Sequence, residues 1–207
     1  MKNSHRYVFT MVEILAVTAL ISILAAIGFG SYSYAMGRAK ESSTRALVKQ
    51  LEAGIEAFHA KYGYYPAANA YGTITVTRNS TSNEVETITF GSGTGTGNKY
   101  TIGTTSTGTT RQDQLKKAEL AVFMKAVELE TIAKYLDGDG RITDAYGGAI
   151  YYRAPGAINT SGFDLIAPGE DGGFGDGKVE GKDLHTLTKA NFIDSSNEWI
   201  CDDIANF

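Results

Sequence analysis

The sequence predicts an α+β chain. One long N-terminal helix, transmembrane in its first half and amphipathic in its second, packs on a small antiparallel sheet, with an inserted loop and a second helix beside them. Three observations lead there. An apolar run fills Phe9 to Gly30, helical periodicity continues unbroken to Tyr62, and short β-branched or aromatic stretches bounded by Gly and Pro occupy the C-terminal part.

The apolar run reads FTMVEILAVTALISILAAIGFG. A bilayer core needs about 20 apolar residues in a helix, so this segment is long enough to span one. A secretory signal has an apolar core of only about 7 to 15 residues, which this run exceeds. Lys2 and Arg6 lie directly before it, whereas Arg38 and Lys40 follow a polar Ser/Tyr stretch and are diluted by Glu41. The positive-inside bias therefore places the N-terminus in the cytoplasm and the C-terminal body across the membrane. Within the run, Glu13 is the exception to the apolar pattern. A carboxylate costs about 2.5 to 3.5 kcal/mol at a bilayer centre on insertion scales and less toward the interface, which makes Glu13 a candidate functional residue.

Leu47, Leu51, Ile55, Phe58 and Tyr62 follow at steps of four, four, three and four, while Lys49, Gln50, Glu52 and Glu56 take the other faces. One helix from Thr10 to Lys61 thus faces lipid first and a globular core second, and Gly63 and Pro66 end it. Arg111 to Leu136 has a second helical period, through Leu115, Ala118, Val122, Ala126, Leu129 and Ala133, with Phe123 and Met124 read as packing residues. Between the helices, residues 71–110 turn to Thr, Gly, Ser and Asn. Ile74–Thr77 and Val85–Phe90 suit a surface hairpin around Arg78–Glu84, which makes this an exposed insertion. Its glycines lack the Lys-Ser/Thr ending of a phosphate loop. Ala149–Arg153 and Phe163–Ile166 suit an antiparallel pair joined through Pro155 and Gly156.

Composition narrows the function further. At 207 residues the chain holds one modest globular domain and an anchor, and its formal charge of −4 offers no basic footprint for nucleic acid. Cys201 is the single cysteine, so neither an internal disulfide nor a Cys-rich zinc site is available. Asp137-Gly138-Asp139-Gly140 echoes an EF-hand loop, but Tyr135 and Tyr146 fall where its first and last ligands belong, and a turn fits better. The C-terminal segment, in contrast, sets Asp171, Asp176 and Asp203 among glycines. Calcium takes six to eight oxygen ligands, and a Gly-rich loop frees carbonyls to join the carboxylates. A solvated acidic turn is the alternative reading of the same residues.

A basic leader followed by Phe9-Thr10-Met11-Val12-Glu13-Ile14-Leu15 and an apolar helix resembles the processing and methylation segment of type IV prepilins and type II secretion pseudopilins. Phe58-His59-Ala60-Lys61-Tyr62-Gly63-Tyr64-Tyr65-Pro66 resembles the helix exit of pseudopilins. Asp144 to Gly148, Tyr151 to Gly156, Phe163 to Gly172 and Asp202 to Phe207 resemble the later strands, calcium loop and C-terminus of the major pseudopilin. The resemblance implies a leader at 1–8, a transmembrane half at 9–30, an amphipathic half at 31–66, and a head at 67–207 with an inserted region at 71–136. It implies cleavage between Val8 and Phe9 by a prepilin peptidase, N-methylation of Phe9, and a pairing of Glu13 with a neighbouring subunit's amino terminus during assembly. The family normally has Gly before the cut, where this chain has Val8.

It further implies structural calcium on Asp171, Asp203 and the Pro168 carbonyl, with Asp176 and Asp202 as additional ligands. The implied function is that of a pseudopilus subunit, not an enzyme, in the inner membrane with a periplasmic head. Its implied partners are other copies of itself, minor pseudopilins and an inner-membrane assembly platform. A surface pilus or DNA-uptake pilus is the alternative within the family. A membrane-tethered hydrolase using the carboxylates between Asp171 and Asp203 is the alternative outside it.

Overall fold

The computed structural model describes residues 10–91, 98–105, 109–128, 132–176, 184, 186–196, 199 and 201–207. Helix α1 runs over Met11–Tyr62. The chain divides into two compact units after Lys40. From Met11 to Gly30, α1 carries a single charged residue, Glu13, and none of its most apolar window is buried. From Glu41 onward it follows the predicted stripe: Leu47, Leu51, Ile55 and Phe58 are at most 1% exposed. The helix ends where Gly63 takes a positive φ of 78° and its N–H donates to the His59 carbonyl at 2.7 Å, a conformation Gly adopts without a Cβ penalty.

The second unit is built on a six-stranded antiparallel sheet. Its strands are β1 (Ala68–Arg78), β2 (Val85–Gly91), β3 (Lys99–Gly103), β4 (Tyr151–Ala154), β5 (Asp164–Ala167) and β6 (Ile204–Ala205), in the order β3-β2-β1-β4-β5-β6. The β4–β5 pair is the one expected from the sequence, with Tyr152 opposite Leu165. The sheet is larger than expected because the 71–110 stretch joins it instead of standing exposed at the surface. Thr and apolar residues alternate there, and a strand's period of two sends Ile74, Val76, Ile88, Phe90 and Ile102 to one side. All five are at most 4% exposed and share a core with Leu51, Ile55 and Phe58. The expected hairpin therefore forms, with Ile74 opposite Phe90, but its apolar face is buried in the core instead of exposed.

Helix α2 covers Arg111–Val127, capped by Thr110, whose hydroxyl accepts the Asp113 N–H at 3.2 Å. Its period was read correctly but its phase was not. The buried face is Glu119, Leu120, Phe123 and Val127, and the expected Leu115 is 55% exposed. Phe123 is the packing residue expected, at 0% exposure. The helix also stops nine residues earlier than the expected Leu136, at a C-cap Glu128 with φ 48°, before a separate 3-10 turn at Ala133–Tyr135. Gly54 explains how α2 approaches α1: a Cβ there would lie 2.0 Å from Val127 Cγ2 and 3.0 Å from Phe123 Cε2.

A second, smaller core packs Ile166, Phe174, Leu184, Leu187, Phe192 and Ile193 together. Leu165 and Ala167 point into the first core and Ile166 into the second, as alternation along β5 requires. All four residues of β5 are buried in consequence. The C-terminal segment is thereby folded against the sheet, which positions the acidic loop.

Candidate functional site

At its start, α1 is held by a reciprocal cap. The Thr10 N–H and hydroxyl each donate to Glu13 Oε2 at 2.8 Å, and the Glu13 N–H donates back to Thr10 Oγ1 at 3.3 Å. This is a capping box, which satisfies donors that the first helical turn leaves without partners. Glu13 is exposed, and so are the large apolar side chains around it among the described residues, from Met11 (86% exposed) to Phe29 (73%). The structure therefore gives Glu13 a local role that the sequence reading omitted, although the Thr-x-x-Glu spacing announces it. Val8 and Phe9 lie outside the described residues.

The acidic loop runs from Pro168 to Asp176. Gly169 turns it with φ 72° and passes so close to Asp202 that a Cβ would meet the Asp202 carbonyl oxygen at 2.4 Å. This close approach joins the loop to the C-terminal segment: the Asp171 N–H donates to Asp202 Oδ2 at 2.9 Å, and the Gly175 N–H to Asp203 Oδ2 at 2.7 Å. Asp171 Oδ1 accepts the Gly173 N–H at 2.8 Å and stays at the surface. Asp203 is different. It is 3% exposed, and its Oδ1 is buried without a hydrogen-bond partner of acceptable geometry. The neighbouring Cys201 thiol, a weak donor, and the Gly175 N–H favour its ionised form. Burial pushes the Asp203 carboxyl up to about 6, and the nearby charges of Asp202 and Asp171 add to the rise.

The structure thus brings together Asp171, Asp202 and Asp203, with the buried Pro168 close by in the chain. Asp176 is not part of this group. Its backbone N–H donates to the Asn191 carbonyl at 2.8 Å and its Oδ1 accepts from Asn191 Nδ2 at 3.4 Å. Among the described residues no three His, Cys, Asp or Glu side chains stand close enough to enclose a metal. What fits a cation is the unpaired buried oxygen of Asp203 with two further carboxylates in electrostatic range, since calcium binds oxygen donors alone. A cleft of about 200 Å³ beside it also holds Glu41, Glu170 and Tyr146, with Arg45 paired to Glu41 at 2.9 Å.

Two carboxylates that organise this region were missed. Asp144, 3% exposed, accepts the N–H groups of Tyr146, Gly148 and Gly169 at 2.9, 2.8 and 3.1 Å, and so ties the acidic loop to the preceding turn. Burial raises its pKa and those N–H groups oppose the rise. Asp164, fully buried, takes the N–H groups of Ala157, Ile158 and Asn159 and the Tyr71 hydroxyl. In both cases the signal was an Asp beside a Gly-rich turn, where a carboxylate accepts local backbone donors. Asp137 does the same in the EF-hand-like stretch, accepting from the Asp139 and Arg141 backbones and from Arg141 Nε at 2.7 Å. Arg141 thus supplies the cation, and the segment is a turn, as expected.

Comparison of the chain with family models, curated proteins and solved structures finds no match.

Proposed function

We propose that this chain is the structural subunit of a periplasmic pseudopilus that drives protein export through a type II secretion system. The observation that carries the reading is the division of α1. One continuous helix is apolar on nearly every side as far as Gly30 and, from Glu41 onward, turns one stripe into the core of an α+β head. An all-round apolar helix needs lipid or other helices on every side, and a filament subunit stored in a membrane meets both in turn. The Thr10-Met11-Val12-Glu13 start, with its lone carboxylate, and the pilin-like C-terminal stretches support the same reading.

In this account α1 bundles with its copies while the heads coat the filament, and growth at the inner membrane pushes exported protein outward. Calcium belongs to the proposal as a structural ion held by Asp203, Asp171 and the Pro168 carbonyl, with Asp202 beside them. When bound, it supplies positive charge where Asp203 Oδ1 lacks a partner. Asp176, engaged with Asn191, is left out of that set.

The test is to express the full chain with a prepilin peptidase and a secretion assembly ATPase, then to examine sheared material by electron microscopy and mass spectrometry. Filaments whose subunits begin at N-methylated Phe9 are the expected result. Filaments built from chains that begin at Met1 would remove the processing step, and the absence of filaments with a fully processed chain would remove the pseudopilus reading.

A further inference from the structure

We propose that α1 carries a lipid-headgroup anchor, made of Tyr32, Tyr34, Arg38 and Lys40, that fixes its depth in a bilayer and sets Glu13 at the opposite headgroup level. The inference rests on the membrane reading of α1 and adds to it a register. Tyr32 and Tyr34 are 63% and 68% exposed. Two residues apart, they stand about 200° apart around the helix at nearly the same height. A single protein partner would collect aromatic residues on one stripe, whereas rings on opposite sides suit a surrounding interface, where Tyr is enriched. One turn further on, Arg38 Nε donates to the Tyr34 hydroxyl at 3.2 Å, and its guanidinium lies 5.5 Å from the ring centroid. Basic groups directly outside an aromatic belt complement headgroup phosphates, which guanidinium binds through paired N–H donors.

Length fixes the other boundary. At 1.5 Å per residue, Glu13 and Tyr32 are separated by about 28 Å along α1, against a hydrocarbon core of about 30 Å. With Tyr32 at one interface, Glu13 sits at the other, and its carboxylate and the Thr10 cap stay in the wet headgroup layer. The unassembled subunit therefore does not hold a charge at the bilayer centre.

Depth-dependent fluorescence tests this with the full chain in vesicles of phosphatidylethanolamine and phosphatidylglycerol. In a Trp199→Phe background, single reporters are placed by Met11→Trp, Leu20→Trp, Tyr32→Trp and Tyr34→Trp, and quenched by lipids brominated near the headgroup or deep in the chains. The expected result is shallow quenching for reporters at 11, 32 and 34 and deep quenching at 20. Adding Arg38→Gln and Lys40→Gln should move the 34 reporter toward the deep quencher. Deep quenching at 32, or no movement in the double variant, overturns the anchor while the membrane reading stands. Quenching at no position, including 20, overturns the membrane reading itself. Quenching at 20 that vanishes as protein is concentrated in the vesicle would assign the face to a second copy instead of lipid.

Discussion

Glu13 has two roles to separate, a cap within its own chain and a charge offered to a neighbour. Glutamine at the same position keeps the reciprocal hydrogen bonds of a capping box but carries no charge. Glu13→Gln and Glu13→Ala should both insert normally, since removing a carboxylate eases insertion, and both should lose filaments if the charge is what assembly uses. Normal filaments from Glu13→Gln, counted by electron microscopy, would reduce Glu13 to a cap. Asp203 poses a separate question. Its folded pKa of about 6 lies above the roughly 3.9 of an unfolded Asp, so the native state holds the extra proton between those values. In chelator, stability should therefore fall as pH rises from about 4 through about 6, and Asp203→Asn should flatten that slope. Calcium should reverse the loss at pH 7, by about 2.7 kcal/mol at 100 times its dissociation constant. Melting curves of the full chain in detergent would show this, and equal midpoints with calcium and chelator would remove the ion. Asp171 was legible from the glycines around it and Asp203 from the resemblance of the C-terminal Asp202 to Phe207, whereas Asp176, expected in the same group, pairs with Asn191 instead. The unpaired oxygen was not legible, because it depends on burial by residues far along the chain.

Among the elements, the α1–α2 contact depends on a missing side chain. Gly54→Ala gains up to about 1 kcal/mol of helix propensity but drives a methyl group into Val127, and overpacking a tight core costs about 1 to 3 kcal/mol. A net loss of about 1 kcal/mol in denaturant unfolding is expected, and Val127→Ala in the same chain should restore part of it. Gly54 also shows why α2 was read out of phase. Leu115, Ala118 and Val122 make a plausible apolar stripe by period alone, but the face that packs is chosen by where α1 lets a partner approach. In contrast, the α1 stripe was legible to the residue, because Leu47, Leu51, Ile55 and Phe58 repeat without a competing apolar face. The hairpin of Ile74–Thr77 with Val85–Phe90 was legible from its β-branched alternation, but its burial and the third strand at Lys99–Gly103 were obscured by the Thr and Gly around them.

For the whole molecule, the head has two cores of unequal size sharing one wall. The wall is β5, whose Leu165 and Ala167 serve the larger core and whose Ile166 serves the smaller. Among the described residues, the edge strand β3 is hydrogen-bonded to one other strand, β2. These positions should differ most in how they exchange amide hydrogens with heavy water. An amide exposed by a local fluctuation exchanges early, whereas one released only when both cores open waits for unfolding of the entire head. Deuterium uptake followed by mass spectrometry should find peptides over Asp164–Ala167 among the last to fill and Lys99–Gly103 well ahead of them. Early uptake across β5 would mean that the smaller core opens independently of the larger. The wall strand would then act as a seam, along which the C-terminal third of the head can lift away while the rest stays folded.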